Sequence, residues 1–241
     1  MKKELRYIFL TLLIVATFLT LTNCHKTEQN IVYEEGIFPD TTIALSDLNS
    51  AFDDYNITYY EISEVLPVIF SSNRGSSGGQ FDLVQGALAY SFDRITGSFT
   101  LMTGMSNDIF FSQLVSKANT QENDFGPYRL YSDLDGLEYM ILSSVGENGD
   151  LDFYYVRHSP YFGTSIPAVN GPFPVNILNS EADEAYFCFD TNQDSAYFSC
   201  NADGNYDIYM HTKPADQFLD EWLNLDFESS EKAASFLQIN V

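Results

Sequence analysis

Asn179-Ser180-Glu181-Ala182-Asp183-Glu184, then Ala196-Tyr197-Phe198-Ser199-Cys200-Asn201, then Gly204-Asn205-Tyr206-Asp207-Ile208-Tyr209, is the stretch on which the fold of this chain is decided. A polar preamble leads into short hydrophobic runs separated by Asn, Asp and Gly clusters. Period-two alternation bounded by such clusters is the pattern of half-buried antiparallel strands joined by tight turns. The spacing predicts strands near Glu184–Phe189, Ser195–Cys200 and Tyr206–Thr212, with a fourth edge strand further on. Ser235–Val241 reads as one more strand.

The same grammar occurs earlier in the chain. Val68-Ile69-Phe70-Ser71-Ser72-Asn73-Arg74-Gly75 is followed by Gly78-Gly79-Gln80-Phe81-Asp82-Leu83. Met140-Ile141-Leu142-Ser143-Ser144 is followed by Gly149-Asp150-Leu151-Asp152-Phe153-Tyr154. Asn49–Asp54 precedes the first unit, and Tyr131–Gly136 is read, more loosely, as the preamble of the second. Each unit is a strand ending in Ser-Ser or Ser-Cys, a glycine turn, an aspartate and a second strand. Glycine and asparagine provide the backbone angles of a tight hairpin. The aspartates, Asp82, Asp152 and Asp207, are placed to accept turn N–H groups and are read as structural repeat residues. A four-stranded antiparallel unit written about three times predicts an all-β, β-propeller-type fold, as a partial or open set of blades within residues 41–241. Two short helices are expected within it, near Phe111–Lys117 and Asp216–Leu223.

The runs at 70–83 and 179–209 resemble the WD40-like (PD40) repeat of TolB-like propellers, which occurs in lipoproteins of Bacteroidetes type. The resemblance covers roughly residues 49–241 and is weaker in the second unit, where Val145-Gly146-Glu147 replaces Asn-Arg-Gly. It implies a recognition or scaffold surface and brings no catalytic residues with it. A closed propeller typically has four to eight blades. The abrupt end at Val241 is therefore read as that of the N-terminal part of a longer propeller, or of a truncated gene product.

The N-terminus carries a different signal. Lys2, Lys3 and Arg6 precede an apolar run from Tyr7 to Leu21. That run is shorter than the roughly 20 residues a spanning helix needs and suits a signal peptide over residues 1–23. Leu21-Thr22-Asn23-Cys24 resembles a bacterial lipobox, with Asn23 in place of the usual small residue. It makes Cys24 the expected lipidation site and residues 24–40 a polar tether. The expected location is the cell envelope, on the outer membrane, facing the periplasm or the surface.

Removing residues 1–23 leaves 8 basic and 33 acidic residues, a formal charge of −25. Such a field repels nucleic acid and anionic lipid, so the membrane contact expected is the lipid alone. Sixteen Tyr and 20 Phe are far too many for a disordered chain. Cys188 and Cys200 fall on neighbouring strands, but counting along them sets Cys200 opposite Ala185, which does not suit a disulfide.

Catalytic and metal motifs are thin. Gly75-Ser76-Ser77-Gly78-Gly79 matches G-x-S-x-G, but a strand follows it where a nucleophile elbow needs a helix. Asp133–Gly136 and Asn201–Gly204 resemble pieces of calcium loops without the closing glutamate, and read as turns. His25 lies in the tether, while His158 and His211 read as surface or packed histidines. Trp222, Tyr59, Tyr60, Tyr154 and Tyr155 are read as packing between blades, with sugar stacking as the alternative. The sequence thus predicts no catalytic residue, metal or cofactor. It predicts a binding or scaffolding module for an envelope protein or glycan. The alternative is an envelope enzyme: a propeller glycosidase, or the propeller part of a longer peptidase.

Overall fold

The computed structural model describes residues 41–59, 65–93, 95, 99–226 and 236–239; the signal peptide, Cys24, the tether and Tyr60 lie outside them. The chain divides into two compact units, residues 1–40 with 92–100, and residues 41–91 with 101–241. In the first, the described residues are strand ends and a turn in which Asp93 accepts the Ile95 N–H at 2.8 Å. The second contains the blades.

Three four-stranded antiparallel sheets follow one another along the chain, each a meander. Blade 1 is β1 (Asp54–Thr58), β2 (Val65–Ser72), β3 (Asp82–Phe92) and β4 (Phe99–Met105). Blade 2 is β5 (Asp124–Ser132), β6 (Leu137–Val145), β7 (Leu151–His158) and β8 (Asn170–Pro174). Blade 3 is β9 (Glu184–Phe189), β10 (Ser195–Cys200), β11 (Asp207–Thr212) and β12 (Leu237–Ile239). The fold is all-β, an open set of three propeller-type blades. Among the described residues the α-helices are α1 (Ile109–Ala118) and α2 (Leu219–Leu223), close to their predicted places. Asp108 caps α1 by accepting the Phe111 N–H at 3.0 Å. Asp135 does the same for α2, accepting from Leu219 and Asp220 at 2.9 and 3.2 Å.

First strands meet first strands: β1 touches β5, and β5 touches β9. The blades stack through apolar faces. Between blades 1 and 2, Ile69 and Leu83 meet Met140, Leu142 and Val156, with Phe110, Phe111 and Leu114 of α1 filling the wedge. Between blades 2 and 3, Ile141, Phe153 and Tyr155 meet Phe187, Ala196 and Phe198, and Trp222 of α2 closes the junction.

Two sequence expectations are corrected. Strand β5 begins at Asp124, so the second preamble is Asn119-Thr120-Gln121-Glu122-Asn123-Asp124, and 133–136 is the β5–β6 turn closed by Gly136 N–H to Ser132 O at 2.9 Å. Cys200 stands opposite Glu184, not Ala185, and Cys188 stands opposite Tyr197. A bulge in β9 shifts the count by one residue. Both cysteines are free thiols, as their separation demands.

Candidate functional site

Every preamble folds into the same polar clasp at the start of its blade. In blade 1, Asp54 accepts from the Ser50 N–H at 2.6 Å, the Ser50 hydroxyl at 2.8 Å and the Ser72 hydroxyl at 2.6 Å. Blade 2 repeats this with Asp124, which accepts from the Thr120 N–H at 2.8 Å and the Thr120 hydroxyl at 3.1 Å. Blade 3 repeats it with Glu184, held by Ser180 and, at 3.4 Å, by the Cys200 thiol. Burial pushes these acids up, and donors pull them down. Arg74, at 2.5 Å, joins the serine donors on Asp54, and together they outweigh burial and hold it down at about 2. Asp124 and Glu184 show burial prevailing over their hydroxyl donors, and rise to about 6 and about 7.

A second set of contacts joins blade to blade. Asn119 grips the Leu83 backbone of the preceding blade, accepting its N–H at 2.7 Å and donating to its carbonyl at 3.0 Å. Asn179 grips Phe153 in the same way, at 2.8 and 2.9 Å. Four residues on, Asn123 accepts the Phe81 N–H at 2.8 Å and Asp183 accepts the Leu151 N–H at 2.9 Å. Within each of blades 1 and 3, an asparagine after the second strand locks the preamble: Asn73 to Asp53, and Asn201 to Asp183.

These clasps hold the first strands in a shared, unusual shape. Asn56, Gly126 and Tyr186 occupy the same position in their blades, with φ of 54°, 56° and 60°. Left-handed backbone is routine for glycine, tolerated by asparagine and unfavourable for tyrosine. The three positions adjoin: a Cβ on Gly126 would lie 3.5 Å from the Tyr186 ring and 3.9 Å from Asn56 Nδ2. That Asn56 amide nitrogen is buried and makes no hydrogen bond among the described residues. Tyr55, Phe81 and Phe125 pack alongside, with ring centroids 5.2 to 6.3 Å apart.

The mouth beside them carries half-exposed rings. Phe52 is 42% exposed, Tyr186 52% and Tyr206 53%. A cleft of about 570 Å³ is lined by Asn49, Ser50, Phe52, Asp53, Tyr55 and Phe81. Burial, then Asp183 and Tyr186 nearby, raise the Tyr206 hydroxyl. Burial, then Tyr186 and Asp53, raise that of Tyr55. Aromatic faces thus stand among amide and carboxylate acceptors, where a flat polar ligand can stack and donate hydrogen bonds.

The sequence-named residues lie elsewhere. Asp82 accepts from the Gln80 side chain at 3.3 Å and Asp207 from Gln238 at 2.9 Å. Asp152 lies so close under Gly146 that a Cβ there would sit 2.2 Å from its carboxylate. The preambles, to whose side chains the sequence reading gave no role, supply the clasps. Ser77 lies in a left-handed turn position (φ 58°) before β3. Trp222 and Tyr155 are buried between blades, whereas Tyr59 is exposed. His158 is buried beside the Arg129–Glu138 ion pair (3.3 Å), and burial lowers it to about 4. His211 is buried against Trp222. Among the described residues no group of three His, Cys, Asp or Glu is placed to hold a metal. No family model matches the chain, and no curated protein matches it.

Proposed function

We propose that this chain is a non-catalytic, lipid-anchored cell-envelope protein whose blades form a binding module, with the mouth at Phe52, Tyr186 and Tyr206 as its contact surface. The lipid attaches at Cys24 and residues 24–40 are the tether. The propeller reading follows the WD40-like (PD40) resemblance of the repeat. The observation that carries the binding role is Tyr186, a half-exposed ring held at φ 60° beside Tyr206 and Asp183. Backbone strain of this kind costs of order 1–3 kcal/mol and collects where a side chain must be presented. Tyrosine faces flanked by acceptors suit a glycan, whose C–H faces stack on rings while its hydroxyls donate to carboxylates.

Calorimetry with envelope glycans and soluble peptidoglycan fragments tests the reading. Binding without turnover, lost in Y186A and Y206A while the thermal midpoint holds, is the expected result. Unchanged binding in both variants would remove the mouth from the proposal. Release of new reducing ends would favour the glycosidase alternative.

A further inference from the structure

Strand β7 joins the two rims of blade 2. Its first residue, Leu151, is gripped by Asp183 at the clasp, and its last, His158, stands opposite Glu138 at the other end, about 25 Å away. Phe52 and Tyr206 of the mouth lie at the clasp rim, just before β1 and β11. The β7–β8 loop, residues 159–169, lies at the opposite rim.

No residue from Ser159 to Ser180 is charged, in a chain with 34 acids. The loop is held at both ends. Tyr161 stacks on Phe110 of α1 with ring centroids 4.5 Å apart, and Val169 packs against the same core. Between these anchors it stands out from the fold: Phe162 is 82% and Ile166 43% exposed, and a Cβ on Gly163 would meet nothing within 4 Å. Ile109, beside Phe110, is 64% exposed. Apolar side chains scattered singly on a surface are ordinary, but several on one charge-free, anchored loop mark a contact. Beside them a cleft of about 650 Å³ is lined by Arg157, Ser159, Ser165 and Asn170 among others, with no carboxylate residue among the described ones that line it. Rings at a tip, with N–H and O–H donors below and no acid, suit a phospholipid surface. The rings reach the acyl boundary while the donors stay at headgroup level.

We propose that the β7–β8 loop seats on a bilayer of zwitterionic phospholipid, with Phe162 and Ile166 at the acyl boundary, and so turns the mouth away from the membrane. Two features make the bilayer the occupant. A tether of residues 24–40 spans at most about 60 Å, which keeps the blades beside the membrane. The acidic field of the chain repels an anionic surface, and this loop meets a neutral one without adding charge. The proposal rests on the lipid anchor at Cys24 and is independent of the glycan reading.

Flotation of the full chain, isolated from membranes, with phosphatidylcholine vesicles tests the anchor, and bromine-labelled acyl chains in those vesicles test the loop. Trp222 is the chain's one tryptophan and is buried, so the emission added by F162W reports on the loop. That emission should shift to the blue and be quenched about twofold or more, as for a ring at the acyl boundary. N148W, at an exposed turn on the clasp rim of the same blade, should be spared. Quenching should weaken as anionic phospholipid replaces the zwitterionic one, and recover with salt. A chain that floats while F162W is quenched no more than N148W overturns the lipid contact, returns the loop to a protein partner and leaves the anchor standing. Stronger quenching on anionic vesicles overturns the choice of a zwitterionic surface. A chain that does not float overturns the anchor, and this proposal with it.

Discussion

Replacing Asn119 by alanine removes both hydrogen bonds that hold Leu83, whose side chain is 1% exposed, to the following blade. Each bond contributes about 1 kcal/mol net, and leaving a buried N–H or carbonyl unpaired costs about 1–3 kcal/mol more. N119A should therefore lose roughly 2–4 kcal/mol, and N179A, which frees Phe153 in the same way, a similar amount. N119D separates the two bonds. It keeps the acceptor for the Leu83 N–H but sets a carboxylate against the Leu83 carbonyl, so it should fall at or below N119A. Urea unfolding followed by aromatic fluorescence reads these differences, with the exposed turn residue Asn192 mutated to alanine as reference. A loss under about 0.5 kcal/mol in N119A, the usual range for a surface change, would refute the clasp as a source of stability.

Asp124 and Glu184 have raised values in the fold, near 6 and near 7, so the folded state binds more protons than the unfolded one between about pH 4 and those values. Their contribution is full below the unfolded value and is lost as pH rises through the folded one, each of order 3 kcal/mol. Thermal midpoints should fall between pH 4 and 7, less steeply in E184Q. Asp54 runs the other way: held near 2 in the fold, its contribution is present above about 4 and lost toward pH 2, and R74A should weaken that acid sensitivity. G126A forces a side chain into left-handed backbone against Tyr186 and should cost about 1–2 kcal/mol by denaturant midpoint. W222A empties the blade 2–3 junction and should cost about 3–5 kcal/mol. W222F should cost less, because the Trp222 Nε1 makes no hydrogen bond among the described residues.

Local features were legible and inter-blade features were not. Strands β9 and β10 fall where alternation put them, and β11 begins one residue later than read. The second preamble escaped notice because Thr120 replaces serine and Asn123 replaces aspartate, changes that keep the hydroxyl and the acceptor oxygen but break the letter pattern. The cysteine register slipped by one because counting by twos cannot see the bulge between Ala185 and Cys188. The grip of Asn119 on Leu83 spans 36 residues, so no windowed pattern contains both partners. The mouth was missed for the same reason: Asn56, Gly126 and Tyr186 share nothing as side chains, and only their backbone angles and adjacency mark them.

That contrast between kept and varied positions separates architecture from recognition. Apolar stacking is non-directional and tolerates exchange, as Leu83 and Phe153 in one place and Met140 and Ala196 in another demonstrate. It cannot by itself fix how one sheet sits along the next. The clasp can, because an asparagine reading one peptide N–H and one carbonyl accepts a single register. Its residues accordingly vary only within their chemistry: Ser, Thr, Ser in one position and Asp, Asp, Glu in another. At the mouth the reverse holds. The backbone shape is common to all three blades, while the side chains are an amide, a hydrogen and a phenol. Under the binding proposal, Tyr186 is the side chain that this shared backbone shape presents at the surface.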